Sequence, residues 1–150
     1  MIGMGLLVVL IIAIVFMAYR LFNEGSKSRF MSPKLGVENG QLMACPKSPN
    51  CVSSYEQDKT HSVAAIAGDD IDLAKLAAYI DTFKHTKIIE QSVNYVHATY
   101  RSNLFGFVDD VELYYDGNLI QVRSASRVGY SDLGANLKRI EKLRSVADDF

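Results

Sequence analysis

The chain has 150 residues, is 49% hydrophobic and 22% charged, and carries a formal net charge of −1. That length suits one domain. The near balance of 16 basic and 17 acidic side chains excludes a disordered polyelectrolyte and a dedicated nucleic-acid binder, which would need a basic excess.

The averages hide an asymmetry. Of positions 1–19, all but Gly3 and Gly5 belong to the hydrophobic set, and every charged side chain lies beyond Tyr19. The run Ile2 to Tyr19 would be about 27 Å long as a helix, close to the ~30 Å hydrocarbon core of a bilayer. A signal peptide competes for this segment, but it would want a positive start, a shorter apolar stretch and a small-residue cleavage site. No charged side chain precedes the run, and Ala18-Tyr19-Arg20-Leu21-Phe22 offers no Ala-x-Ala. A buried helix of a soluble domain would need a solvated face, which no polar position supplies. Residues 1–22 therefore read as an uncleaved transmembrane anchor, with the lipid bilayer as first partner. Tyr19, Arg20 and Phe22 suit an interfacial collar.

Residues 23–40 are rich in Gly, Ser, Lys and Asn, with a single Pro33, and read as a juxtamembrane linker. Residues 41–150 then form a single domain. Within it, Met43 to Ser54 cannot be helical, because Pro46 and Pro49 each remove a donor and bias the preceding residue to extended geometry. Asp69-Asp70 opens an amphipathic helix with the apolar stripe Ile71, Leu73, Leu76, Ala77, Ile80 and Phe83 and with Asp72 outside it. Strand patterns follow at Lys87 to Ser92, Asn94 to Arg101, Phe107 to Tyr115 and Leu119 to Ser126.

Asp116-Gly117 is a type I′ hairpin signal between the last two strands. With those residues as the loop, Leu113 faces Ile120 and Asp110 faces Arg123; a two-residue shift puts Glu112 opposite Arg123 instead. Either register gives Arg123 a carboxylate partner. Ser131 or Asp132 caps a final helix whose stripe is Leu133, Leu137, Ile140, Leu143 and Ala147. The order predicts an α+β fold: an antiparallel sheet of about four strands flanked by two helices, behind the transmembrane helix.

Several constellations could carry chemistry. Cys45 and Cys51 enclose five residues, two of them proline. They could form a disulfide in an oxidising compartment, remain reduced structural thiols, or serve a metal or redox role, although a redox pair typically has C-x-x-C spacing. Asp109, Asp110 and Glu112 cannot converge as metal ligands on a strand, because Asp109 points opposite to the other two. A metal site is not expected, nor is a cofactor. Asp109 falls on the apolar face and requires a buried partner such as Ser124 or a backbone donor.

Arg101, Arg123 and Arg127, with Ser124 and Ser126 between the last two, precede a helix start. They are the candidate ligand-binding group together with Asp109. Guanidinium groups suit carboxylate or phosphate, so a small anionic ligand is one expected partner and a membrane protein another; structural pairing with Asp109, Asp110 or Glu112 is the plainer account. Ser53, Ser54, Asp58 and His61 contain the residue types of a hydrolase triad, as do His97 and Ser102, but no positioned nucleophile accompanies them.

Three segments taken together carry a family resemblance: Leu42-Met-Ala-Cys-Pro-Lys-Ser-Pro-Asn-Cys-Val-Ser-Ser54, Arg101-Ser-Asn-Leu-Phe-Gly-Phe-Val-Asp-Asp-Val-Glu112, and Arg123-Ser-Ala-Ser-Arg-Val-Gly-Tyr-Ser-Asp-Leu-Gly-Ala-Asn136 followed by Lys138 and Arg139. They resemble the domain-of-unknown-function family numbered 1499, over roughly residues 38–147. The resemblance implies no activity. It does imply an exported or membrane-attached compartment.

The expectation is a membrane-tethered module that binds a small molecule, a lipid headgroup or a partner protein, without a recognisable catalytic set. An enzyme using the Cys-Pro loop beside the Arg/Asp cluster is the alternative. Arg20, Lys27, Arg29 and Lys34 follow the anchor and favour a cytoplasmic domain. The local cysteine pair and the exported character of the family favour the extracytoplasmic, periplasmic side. Folded domains translocate largely regardless of flanking charge, so the extracytoplasmic side is expected.

Overall fold

The computed structural model describes residues 2–67, 73–147 and 149. Asp69, Asp70, Ile71 and Asp72 of the expected second helix lie outside the described residues. The first helix, α1, spans Ile2–Phe30. Its apolar part, 0% buried in the chain, is long and apolar enough to cross a membrane. At 1.5 Å per residue the helix continues about 15 Å beyond Arg20. The stretch expected as a linker is therefore helical to Phe30.

The remainder of that stretch is also ordered. Strands β1 (Val37–Glu38) and β2 (Gln41–Leu42) pair around Asn39-Gly40, with φ of 51° and 76°. Positive φ at both central residues is the type I′ pattern that Asn-Gly favours.

The domain continues with β3 (Cys51–Ser53), β4 (Ile66–Ala67), α2 (Leu73–Asp81), β5 (Thr86–Gln91), β6 (Tyr95–Arg101), β7 (Val108–Tyr115), β8 (Leu119–Ser126) and α3 (Ala135–Ala147). Strands β3 to β8 form one antiparallel sheet in the order β3-β8-β7-β6-β5, and β4 also pairs with β8. The class is α+β. The sheet has six strands rather than about four because two short segments, one inside the Cys-Pro loop, add to the free side of β8.

Glu112 faces Arg123 and Leu113 faces Val122, so the shifted register is the one formed and Asp110 lies opposite Ala125. The loop is Gly117-Asn118, closed by a hydrogen bond from the Asp116 N–H to the Leu119 carbonyl. Of its two central residues only Gly117 has positive φ, at 102°, the type II′ pattern. Asp116 stands one position earlier than expected: its carboxylate accepts from the backbone N–H groups of Asn118 and Leu119.

Both α2 and α3 pack on one face of the sheet. Leu76, Ala77, Ile80, Ile140 and Leu143 meet Val96, Ala98, Val111, Leu113, Ile120 and Val122 there. Leu133, expected in that stripe, stands outside α3 with φ of 55° and is exposed. Asp132 explains this: its carboxylate accepts from the N–H groups of Gly134 and Asn136, so the helix starts after Leu133 and the leucine is turned outward.

Replacing Gly117 with valine puts a β-branched side chain at a positive φ, in a place where an added Cβ meets nothing within 4 Å. The cost is therefore backbone strain alone, about 1–3 kcal/mol. The unfolding midpoint of the full-length protein in detergent should fall accordingly; an unchanged midpoint would mean that the turn tolerates a branched residue.

Candidate functional site

The outer face of the sheet, opposite α2 and α3, carries a buried charge network. Asp110 sits at its centre, its side chain 2% exposed. It accepts from Arg127 Nε and Nη2, both at 2.8 Å, and His97 Nε2 lies 2.8 Å from its Oδ1. The remaining nitrogen of Arg127, Nη1, donates to the carbonyls of Ser28 and Met31 at 3.3 and 2.7 Å. These carbonyls end α1, where helical partners run out and a cation is favoured by the helix dipole. Arg127 thus joins the sheet to the end of α1.

Two further contacts fix the same junction. Ser28 Oγ accepts from the Val108 N–H and donates to the Gly25 carbonyl. Gly25 lies so close to the sheet-side loop that an added Cβ would land on the Phe105 carbonyl oxygen.

Glu112, two positions along β7, is fully buried. It accepts from Arg123 Nη1 at 3.0 Å, Tyr95 Oη at 2.8 Å and the Gly36 N–H at 2.7 Å. The segment between α1 and β1 is therefore clasped onto the sheet. Burial, reinforced by the charge of Glu112, pushes the Tyr95 hydroxyl pKa upward, so Tyr95 remains a donor. Burial alone would raise the pKa of Asp110, but Arg127 and His97 together hold it below the ordinary aspartate value.

The inner face holds a second cluster. Asp109 pairs with Arg139 of α3 at 2.8 Å. Arg139 also donates to Ser124 Oγ and Asn136 Oδ1 and stacks over the Tyr100 ring at 4.4 Å. Asn136 reaches the Asn50 carbonyl and Ser126 Oγ. Asp109 has a partner, half-buried and supplied by α3; Ser124 does not bond it directly but joins through Arg139 and Asn136. Burial lifts the Tyr100 hydroxyl to about 12.

The candidate group is thereby divided. Arg123 and Arg127 lie on the outer face with internal carboxylate partners, while Asp109, Ser124 and Ser126 lie on the inner face. Arg101 is exposed at the end of β6, its nearest polar contact being His85 at 3.5 Å. They do not converge on one site. Cys45 and Cys51 form a disulfide, which holds the Pro46–Pro49 loop beside β8. Asp58 pairs with His61, but the other imidazole nitrogen meets the Ser48 carbonyl and the Ser53 hydroxyl accepts from the Tyr55 N–H. His97 is bound to Asp110, and Ser102 accepts from the Phe107 N–H. Neither set forms a triad.

The junction also encloses a cleft of about 480 Å³, walled by Leu21 of α1, Phe105, Phe107, Val128, Tyr130 and Leu133. Ser102, Ser126, Ser131, Asp109 and Asp132 add polar groups to it. The hydroxyl oxygens of Ser102, Ser126 and Ser131 each accept one bond within the protein, which leaves each hydroxyl its hydrogen and a second lone pair. Periodicity could not reveal this cleft, because it is made by two loops and a helix that no local pattern brings together. Arg139 was more accessible to sequence reasoning: with Asn136, Ile140 and Leu143 it continues the sheet-facing side of α3.

These features define an α+β domain fused to an apolar N-terminal helix, with a cleft at the junction. The profile of the family described as Protein of unknown function (DUF1499) matches residues 41–146, and the chain belongs to that family. No curated protein and no solved structure matches the chain.

Asp110→Asn removes one member of a buried pair and leaves Arg127 uncompensated, at a cost of about 3–5 kcal/mol. The pH dependence has a definite sign. A carboxyl whose pKa is lowered by folding contributes its stability above the unfolded value, about 3.9, and loses it as pH falls through the folded value. The native protein should therefore lose stability more steeply than Asp110→Asn below about pH 4, measured by circular dichroism melts. Equal acid slopes would assign the acid-sensitive group elsewhere.

Proposed function

We propose that the protein is a membrane-anchored, extracytoplasmic binding module that takes an amphipathic small molecule of the lipid class into the cleft beside α1. The observation that carries this reading is the presence of Leu21, immediately beyond the interfacial Arg20, in the wall of an apolar cleft. Its volume falls in the ~300–1,000 Å³ range of small-molecule sites. Apolar walls favour a hydrocarbon tail. The serine hydroxyls, able to donate and to accept, suit a small polar head such as an ester or hydroxyl. Asp109 is neutralised by Arg139 and does not oppose such a head. Of the arginines expected to take an anion, Arg123 and Arg127 are engaged inside the protein and Arg101 does not line the cleft, so a free anionic ligand is the weaker reading.

A photoactivatable phospholipid with a diazirine in its acyl chain tests the cleft. In vesicles containing the full-length protein, adducts should map to residues 105–107 and 128–133. Val128→Trp, which fills the cleft, should reduce them to the level seen on α1. Labelling confined to α1 would remove the proposal.

The extracytoplasmic side is supported by the Cys45–Cys51 disulfide, since disulfides are rarely kept in a reducing cytosol. Acid-quenched cells treated with a thiol-reactive mass tag should show no tag before reduction and two tags after it. Two tags before reduction would favour the cytoplasmic side that the flanking charges suggest.

A further inference from the structure

We infer that the loops 102–107 and 128–134 form a second, peripheral contact with the same bilayer that holds α1, seating the domain with its strands upright on the membrane. The inference rests on reading α1 as an anchor and is independent of what the cleft binds.

The direction of the domain follows from α1. Leu21 shares the cleft with Tyr130 and Leu133. Four residues on, Gly25 lies against Phe105; then Ser28 accepts from Val108 at the start of β7, and Gly36 donates to Glu112 farther along that strand. The chain thus climbs β7 from its first residue toward its last as it leaves the membrane. At 1.5 Å per helical residue, Leu21 stands within a turn of the Arg20 headgroup level and Ser28 about 12 Å above it. The loop joining β6 to β7 and the loop after β8 consequently lie at the end of the sheet nearest the membrane, the end that also carries Asn50 beside Ser126 and His85 beside Arg101. The hairpin tip around Val93, at the other end of β6, is about 23 Å higher, given seven residues at about 3.3 Å each.

The chemistry of these low points suits an interface. Residues 102–107 and 128–134 contain one charged side chain, Asp132, whose carboxylate is taken up by the Gly134 and Asn136 N–H groups. Leu104, Tyr130 and Leu133 are 77%, 77% and 90% exposed, large apolar groups in water unless something covers them. Leu133 is exposed because the Asp132 cap turns it out of the helix stripe. Arg101 flanks the patch with no carboxylate partner among the described residues, in position for a headgroup phosphate. Tyrosine at the rim has the amphipathic ring that such a boundary favours. The patch is continuous with the lipid-facing surface of α1, and that continuity identifies the bilayer, rather than another protein, as its cover.

The chain contains no tryptophan, so single substitutions give unambiguous emitters. Leu104→Trp, Leu133→Trp and, as a high-lying control, Val93→Trp (96% exposed) would each be made in the full-length protein. All three positions are open, so the fold should survive. Each variant would be reconstituted into phosphatidylcholine–phosphatidylglycerol vesicles brominated near the headgroup, and flotation measured first. With the protein floating, Leu104→Trp and Leu133→Trp should be blue-shifted and lose most of their emission, while Val93→Trp keeps a water-like, unquenched spectrum. If both loop variants match the control on floating vesicles, the seat is overturned while the anchor stands. If the chain does not float, the anchor reading falls and takes the seat with it.

Discussion

The paired carboxylates of β7, Asp110 and Glu112, hold the molecule's two halves together. They lie on a sheet face that carries no helix, where alternation alone would make them solvent-exposed, yet both are buried. Burying two charges is costly unless each is paired and its lone pairs are satisfied. Arg127 and His97 do this for Asp110; Arg123, Tyr95 and the Gly36 N–H do it for Glu112. The partners reach beyond the sheet to the last carbonyls of α1 and the backbone after it. A face that would otherwise be solvated thereby becomes the seat of the end of α1 and the segment after it. Such networks contribute orientation more reliably than net stability, because an apolar replacement of equal shape often stabilises as well.

The inner face shows the same logic with a different element. Asp109 would be an orphan on an apolar face, and Arg139 supplies the partner from α3. The long Arg139 side chain also covers the Tyr100 ring and ties Asn136 and Ser124 into the same cluster. Adjacent carboxylates of one strand therefore hold different helices on opposite sides: Asp109 holds α3 and Asp110 holds the end of α1.

Local physics was legible where it had no competitor. The apolar run, the alternating strands and the β8 ion pair followed from period and charge, because strand faces are set by a strict two-residue repeat. The register of the β7–β8 hairpin was legible only as a choice of two. Asp116 can flank a turn or sit inside one, and its bonds to Asn118 and Leu119 decide between them. The Asn39-Gly40 hairpin was hidden by the polar composition around it, although Asn-Gly is itself a strong turn signal. Leu133 was misplaced because helical spacing extends through it, whereas the Asp132 cap begins the helix two residues later. The division of the arginine group was only half visible: period separates Arg123 and Arg127 from Asp109, but nothing local says that the end of a distant helix will occupy Arg127.

The consequence for function lies in the stiffness of the junction. A flexible linker would let the domain wander relative to α1. Here the helix runs unbroken to Phe30 and is gripped by Arg127, by Ser28 and by the close approach of Gly25 to Phe105. Loosening these contacts together would free the domain from α1 while leaving in place the core against α2 and α3, which lies on the other face. The placement of the domain on α1 is therefore a property of the outer-face network, which adds to the stability that the inner core supplies.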